Sequence, residues 1–333
     1  MNRIKNNPIT KKIASLYKMS PYYLPKAIRI DACTLCQLKC PGCFFQNSSY
    51  GALGGGFLTI DNFKKIIDNN PQVKQVELSN YGEIFLNPDL VEIMEYAYKK
   101  RVRLTANNGV NFNTVSDKQI KALVDYQFAS IKLSIDGASQ KVYEQYRRGG
   151  NIETVIANVR KLIDYKKECN SEYPHLLWKY IIMAHNELEV GMAKKMAAEL
   201  GIPIKFSLDW DTNYRPVNTE YLIKETGLKE LTRTEYQLKH QEPYLGELCR
   251  QLFLAPQINW DGKLLGCCVL YDQDYGVNVI DIGLKKALRT RLYLKSKKCL
   301  LEKHPAPEQY SESPCFKCEM RTIREKYGKA FRL

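Results

Sequence analysis

AIRIDACTLCQLKCPGC (Ala27–Cys43) joins a short alternating apolar run to four cysteines, Cys33, Cys36, Cys40 and Cys43, packed into eleven residues. The run predicts a strand over Ala27–Ala32, which puts the last three thiols just past its carboxyl end. Working outward, strand patterns recur over 73–79, 101–106, 130–135, 176–183 and 202–208. Helical patterns fill the gaps, at 60–68, 89–100, 116–126, 140–146, 152–167 and 187–200. Several open on good caps, such as Thr59 and the Asn87-Pro88-Asp89 turn, and Gly201 closes the last. Six β/α units in succession predict an α/β fold with parallel strands. It is either a doubly wound sheet or a barrel that stops short of eight strands. In both, chemistry collects at the carboxyl ends of the strands. The informative residues lie there: the cysteines after the first strand, Tyr81-Gly82-Glu83 after the second, Asn107-Asn108-Gly109 after the third, Asp136-Gly137 after the fourth and His185-Asn186 after the fifth.

The 333 residues allow one large domain with an appendage or two ordinary domains. Hydrophobic residues at 44% and charged residues at 26% exclude intrinsic disorder, and the lack of a long uncharged apolar run argues against a membrane span. The net charge of +14 admits an anionic partner such as a phosphorylated metabolite, an acidic peptide or nucleic acid; a merely soluble Lys-rich surface reads equally well. The basic N-terminus has no apolar core and no cleavage site of a secretory signal, so a cytoplasmic location is expected. Eleven cysteines in a reducing compartment point to metal or catalysis rather than disulfides.

Three residues separate Cys36 from Cys40 and two separate Cys40 from Cys43. Three thiolates can hold three corners of a 4Fe-4S cubane and leave one iron open. With this spacing the chain resembles the radical S-adenosylmethionine (SAM) superfamily, and the resemblance extends over about residues 27–208. Tyr81-Gly82-Glu83 with Asn87-Pro88-Asp89-Leu90 is similar to the family's Gly-Gly-Glu segment and its continuation, and Leu104–Gly109 to its Thr-Asn-Gly stretch. Ser134-Ile135-Asp136-Gly137 is similar to its Ser-Ile-Asp-Gly strand end, and Tyr146-Arg147-Arg148-Gly149 to the Tyr-Arg-Gly element that follows. The resemblance implies a partial (β/α)6 TIM-like barrel whose open iron chelates the amino and carboxylate groups of SAM. It places Gly82, Glu83, Asn107, Ser134 and Asp136 around the cofactor, with Glu83 near the methionine amino group and Ser134 and Asp136 near its carboxylate or ribose. Where the family usually carries an aromatic before the third cysteine this chain has Gly42, so the adenine contact is expected from backbone or from Phe44 or Phe45. Cys33 reads as a core residue, since a fourth thiolate would close the open iron. The bland alternative is a closed four-thiol zinc site. The Gly-rich stretch from Gly51 to Gly56 reads either as a cover over the cofactor or as a flexible surface loop.

A second constellation consists of Cys249, Cys267, Cys315 and Cys318, with the Asp261-Gly262 turn predicting a hairpin in PQINWDGKLLGCC. It resembles the SPASM and twitch auxiliary-cluster modules, the single-cluster twitch type in particular, which implies a fully ligated auxiliary 4Fe-4S cluster. Cys267 and Cys268 compete for one ligand position, and the spacing from Gly262 favours Cys267; a zinc ribbon is the alternative. The expected organisation is a helical extension over 1–24, the barrel over 25–210, a linker with one or two helices over 211–245 and the auxiliary module over 246–333. Asp209, Trp210 and Asp211 follow the sixth strand, and Asp209 is the candidate for substrate contact or proton acceptance. The expected activity is reductive cleavage of SAM followed by hydrogen abstraction from a small-molecule, carbohydrate or peptide substrate, in a net oxidation aided by the auxiliary cluster. The electron donor would be a flavodoxin or ferredoxin. Only 26 residues precede the first strand, so neither a leader-binding domain nor a cobalamin domain is expected ahead of the barrel. An RNA-modifying radical SAM enzyme and a zinc-stapled nucleic-acid-binding protein are the alternatives.

Overall fold

The computed structural model describes residues 17, 18, 20, 23–43, 53–209 and 214–327. Six parallel strands form in chain order: β1 Ala27–Ile30, β2 Gln75–Glu77, β3 Arg103–Val110, β4 Ser130–Ser134, β5 His175–Ile182 and β6 Ile204–Leu208. Their spatial order is also 1-2-3-4-5-6. A doubly wound sheet reverses direction at a switch point and this one does not, so the sheet is a partial barrel with its helices on one face.

The helices begin where their caps dictate. For α1, Ile60–Asp68, the Thr59 side chain accepts from Asn62 N, and Phe63, Ile66 and Ile67 form the buried stripe. Burying each of these contributes roughly 1.5–3 kcal/mol. After α2, Leu90–Lys99, a full capping box of Ser116 and Gln119 opens α3, Asp117–Asp125. Next come α4, Gln140–Tyr146, and α5, Ile152–Glu168, where Asn151 caps α5. A 3-10 turn over Glu187–Glu189 leads into α6, Val190–Glu199. β5 shows the two-faced logic of the barrel: Leu176, Trp178, Tyr180 and Ile182 are buried on the helix side, while Leu177, Lys179 and Ile181 between them face the lumen. Two helices, Thr219–Thr226 and Arg233–His240, occupy the segment after β6.

The C-terminal hairpin forms as the Asp261-Gly262 turn predicts, with Gly262 at φ +90° between β7, Gln257–Ile258, and β8, Leu264–Gly266. It does not stand apart. β7 pairs in parallel with β1, Arg29 opposite Gln257 and Ile30 opposite Ile258, so one eight-stranded sheet runs from β6 to β8. Within this seam Gln257 is fully buried; its Nε2 donates to Asp31 Oδ2 at 2.9 Å and its Oε1 accepts from Arg29 Nε at 3.0 Å. Among the described residues no helix is long and apolar enough to cross a membrane.

Candidate active site

The loop after β1 carries Cys36, Cys40 and Cys43 as one group, with Cys40 buried and the other two half-buried. Leu38 anchors the loop, packing with Cys40, Tyr146 and Met183, and Cys43 N donates to Cys40 O at 3.0 Å. Two donors reach the sulfurs: Asn111 Nδ2 lies 3.8 Å from Cys36 Sγ, and Arg147 Nη1 lies 3.9 Å from Cys40 Sγ. Burial pushes the Cys36 thiol up to about 12 and raises Cys40 as well. Metal binding to such thiols therefore releases protons. Cys33 points elsewhere: it is fully buried, and its Sγ accepts from Leu35 N at 3.2 Å.

The neighbouring strand ends brace this loop. Gly82 sits at φ +63°, and a Cβ there would come within 2.4 Å of Cys33 O and 2.7 Å of Leu35 O, so the close approach requires glycine. Glu83 N donates to Leu35 O at 2.8 Å. The Glu83 carboxylate is buried and accepts from Asn111 N at 2.6 Å, which fixes the residue that touches Cys36; burial pushes its pKa up to about 7. Gly109, at φ +124°, leaves room for Ser134 Oγ, on which a Cβ would fall. Asn107 N donates to the Glu77 carboxylate at 2.9 Å, and its side chain accepts from Ser130 Oγ at 3.1 Å. The fully buried Asp136 gives one oxygen to Ile181 N at 2.8 Å and the other to Arg147 Nε at 2.7 Å and, in an ion pair, to its Nη2. Its carboxylate is thus spent on positioning Arg147 beside Cys40.

A second set of thiols lies beyond β7. Cys249, Cys267, Cys315 and Cys318 line a single small cavity together with Leu252, Val269, Leu270 and Leu300. Cys268 is not in that lining; its N–H donates to Gln251 Oε1, and Arg29 and Asp31 of the barrel are its charged neighbours. The buried Arg324 places Nη2 2.8 Å from Cys249 Sγ, and Tyr275 Oη lies 3.9 Å from Cys315 Sγ. Among the described residues no three His, Cys, Asp or Glu side chains converge closely enough to hold one metal ion. The four thiols instead enclose a volume, and an all-sulfur donor set around a cavity fits an iron-sulfur cluster.

Residues 32–177 match the model of the Radical SAM superfamily. That stretch of the chain is a radical SAM domain. A probable GTP 3',8-cyclase of Methanocaldococcus jannaschii is 22% identical over 283 residues, 77% of this chain and 88% of that protein. The antilisterial bacteriocin subtilosin biosynthesis protein AlbA of Bacillus subtilis is 25% identical over 57% of this chain, but the match takes in only 42% of AlbA. Among solved structures, SuiB of Streptococcus suis bound to SAM superposes with a TM-score of 0.65 at 13% identity, covering 98% of this chain and 81% of SuiB. Native anSMEcpe with bound AdoMet superposes with a TM-score of 0.59 at 15% identity, covering 91% and 96%. The chain is therefore a radical SAM enzyme whose barrel is followed by a SPASM/twitch-like module. The cofactors of a radical SAM domain are a 4Fe-4S cluster and SAM.

Within this radical SAM enzyme the remaining expected site residues fall as follows. Phe44, Phe45, Trp210 and Asp211 lie outside the described residues. Asp209 stands just past β6, with Tyr146 and Arg233 as charge neighbours. At Gly42 a Cβ would meet Tyr146 Oη at 2.8 Å, so the Tyr146 ring already covers the spot where the family usually carries an aromatic. Tyr146 stacks on His185 with centroids 6.1 Å apart and meets Tyr214 edge-on at 5.7 Å; His185 Nε2 is buried without a hydrogen-bond partner. The described part of the Gly-rich stretch is pinned from both sides. Thr34 Oγ1 donates to Gly54 O at 2.9 Å, and Trp260 Nε1 and Asn259 Nδ2 both donate to Leu53 O. Sequence reasoning quotes Arg147 without giving it a task, reads Arg324 as part of a solvated basic helix although it is buried, and misses Asn111 and the aromatic role of Tyr146. The signal for Tyr146 is Gly42 itself, whose missing side chain has to be replaced from elsewhere.

Proposed function

We propose that Cys36, Cys40 and Cys43 hold the SAM-binding cluster, that Cys249, Cys267, Cys315 and Cys318 hold the auxiliary one, and that the enzyme removes hydrogen from a carbon of its substrate in a net oxidation. When bound, the open cluster and SAM supply one-electron cleavage of the sulfonium and a 5'-deoxyadenosyl radical. The chain's own residues shape and dry the site. Asn111 and Arg147 each reach one cluster thiolate, Glu83 holds Asn111, and Asp136 holds Arg147. Gly82, Gly109, Ser134 and Asn107 keep the strand ends close and polar where SAM binds, and Tyr146 with His185 offers a flat aromatic wall for its adenine. Asp209 at the rim takes up the substrate's proton. A flavodoxin- or ferredoxin-type donor delivers the electron.

The substrate is a small molecule, a carbohydrate or a peptide. The name of AlbA and the complex of SuiB with its precursor peptide SuiA support a peptide, while the cyclase name supports a nucleotide-sized molecule. The observation that carries the reading is the division of seven thiols into two sets, three in the loop after β1 and four around a cavity beyond β7. Anaerobic reconstitution tests it. Iron and sulfide should correspond to two 4Fe-4S clusters, and reduced protein should form 5'-deoxyadenosine. Cys40→Ala should abolish that cleavage; Cys315→Ala with Cys318→Ala should keep it and lose one cluster. Zinc without acid-labile sulfide would end the proposal.

A further inference from the structure

The barrel lumen carries charge that neither thiol set uses. Strand register puts Arg29 beside Glu77, Ser134 beside Lys179, and Lys179 beside Lys205. Lys132 is two residues before Ser134 and so faces the same way. The charges feel one another: Lys132 is repelled by Lys205 and Arg29 and attracted by Glu77, and Lys179 is repelled by Lys132. The hydrogen-bond partners of these cations are neutral. Arg29 donates to Asn80 Oδ1 at 3.1 Å and to Gln257, and Lys179 Nζ lies 3.4 Å from Asn108 O. Among the described residues the Lys132 side chain, though half-buried, has neither a hydrogen bond nor an ion pair.

Three carboxylates act on these cations, and all are engaged: Asp136, which attracts Lys179, is ion-paired with Arg147. Glu77 accepts from Ser79, Thr105 and Asn107, and Asp31 from Gln257 and Tyr81 N. With Arg147 set against Asp136, four cations face the two remaining carboxylates, Arg29, Lys132 and Lys179 half-buried and Lys205 exposed on the edge strand, and leave an uncompensated positive field on this side of the lumen. Like charges gathered there oppose folding unless something else offsets them. Burial accordingly lowers the pKa of both Lys132 and Lys179. Arg29 also lies beside Cys268 at the seam with the auxiliary module, so the field reaches from the barrel toward the second thiol set.

We propose that Arg29, Lys132, Lys179 and Lys205 form a lumenal site for a compact oxyanion, phosphate or carboxylate, carried by the substrate. The inference rests on the proposed radical reaction for its meaning, while the binding itself is measurable without turnover. Pyrophosphate and sulfate are the probes, titrated calorimetrically into reconstituted protein with and without SAM. Pyrophosphate should bind the parent and bind Lys132→Met about tenfold or more weakly, as loss of a charge-assisted contact implies. Lys286→Met, the same charge loss on a helix of the C-terminal module outside the lumen, should leave its affinity unchanged. In anion-free buffer Lys132→Met should also melt higher than the parent, which loss of a purely structural lysine would not produce. Lys205→Met, on the edge strand, gives a second variant with the same expected loss of affinity.

Equal pyrophosphate affinity in Lys132→Met and Lys286→Met would overturn the site in favour of diffuse surface charge. A SAM dissociation constant that rises in step with that of pyrophosphate would overturn it too, by giving the cations to the SAM carboxylate. Iron content and SAM cleavage of the parent test the radical reading separately, and pyrophosphate binding by a protein with no second cluster would leave the anion site standing without it.

Discussion

Arg147 and Arg324 bring the same guanidinium chemistry to a cysteine sulfur in two settings. Arg147 is ion-paired with Asp136 and stands 3.9 Å from Cys40, whereas Arg324 comes within 2.8 Å of Cys249. A hydrogen bond to a ligating sulfur stabilises the more negative, reduced cluster. Arg324→Gln should therefore move the auxiliary midpoint to a more negative potential at unchanged iron content, read by EPR-monitored redox titration. An unmoved midpoint would leave Arg324 with a packing role only. Gly42 allows a second residue-scale test. Gly42→Phe should clash with Tyr146 and weaken SAM binding by about tenfold, while adding Tyr146→Ala should restore much of it because one aromatic then replaces the other. Equilibrium binding of SAM decides this, and a double variant as weak as the single one would remove Tyr146 from the adenine wall. The cysteines are legible in the sequence because their spacing is local. Their donors are not, since Asn111, Arg147 and Arg324 reach their sulfurs from 75 to 107 positions away.

Element by element, the strands and helices of the barrel follow from periodicity and caps, and α1 and α4 begin and end at the residues their patterns mark. The hairpin is legible too, because an Asp-Gly turn between apolar runs is a local signal. Its partner is not: nothing near residue 257 says that β7 will pair with β1, some 228 positions earlier. Beside the ladder bonds from Arg29 N to Pro256 O and Asp31 N to Ile258 O, Gln257 is, among the described residues, the one side chain that bonds both Arg29 and Asp31 across the seam. The buried Asp31 carboxyl is already pushed up to about 7 by desolvation, which the Gln257 amide partly offsets. Gln257→Leu leaves a buried acceptor short of a donor and should cost about 1–3 kcal/mol. A lower urea midpoint together with faster proteolysis of the C-terminal module is the expected result. Parent-like stability would mean that the strand ladder alone holds the hairpin in place.

Across the whole molecule the excess of 14 positive charges says little by itself; what matters is where it is desolvated. Lys179 is the clearest case. Burial lowers its pKa to about 8 from 10.5, with Lys132 of β4, Arg147 after α4 and Arg233 of the following helical segment pushing the same way and Asp136 of the β4 end opposing them. A depressed folded-state pKa means that the folded protein gives up this proton before the unfolded chain does. The stability associated with Lys179 is thus present above pH 10.5 and lost as the pH falls toward 8. At neutral pH the parent carries the whole cost of the buried charge. Lys179→Met should then be more stable than the parent at pH 7, with the difference shrinking as the pH rises from about 8 to 10.5, where other titrating groups cancel between the two proteins. Saturating sulfate should shrink the same difference at pH 7, because an anion in the lumen stabilises the charged lysine in the parent alone. Paired denaturation curves across that range measure both effects. A stability difference that ignores both pH and sulfate would show that Lys179 is solvated, and the lumen would then be an ordinary wet cleft with no field to direct at a substrate.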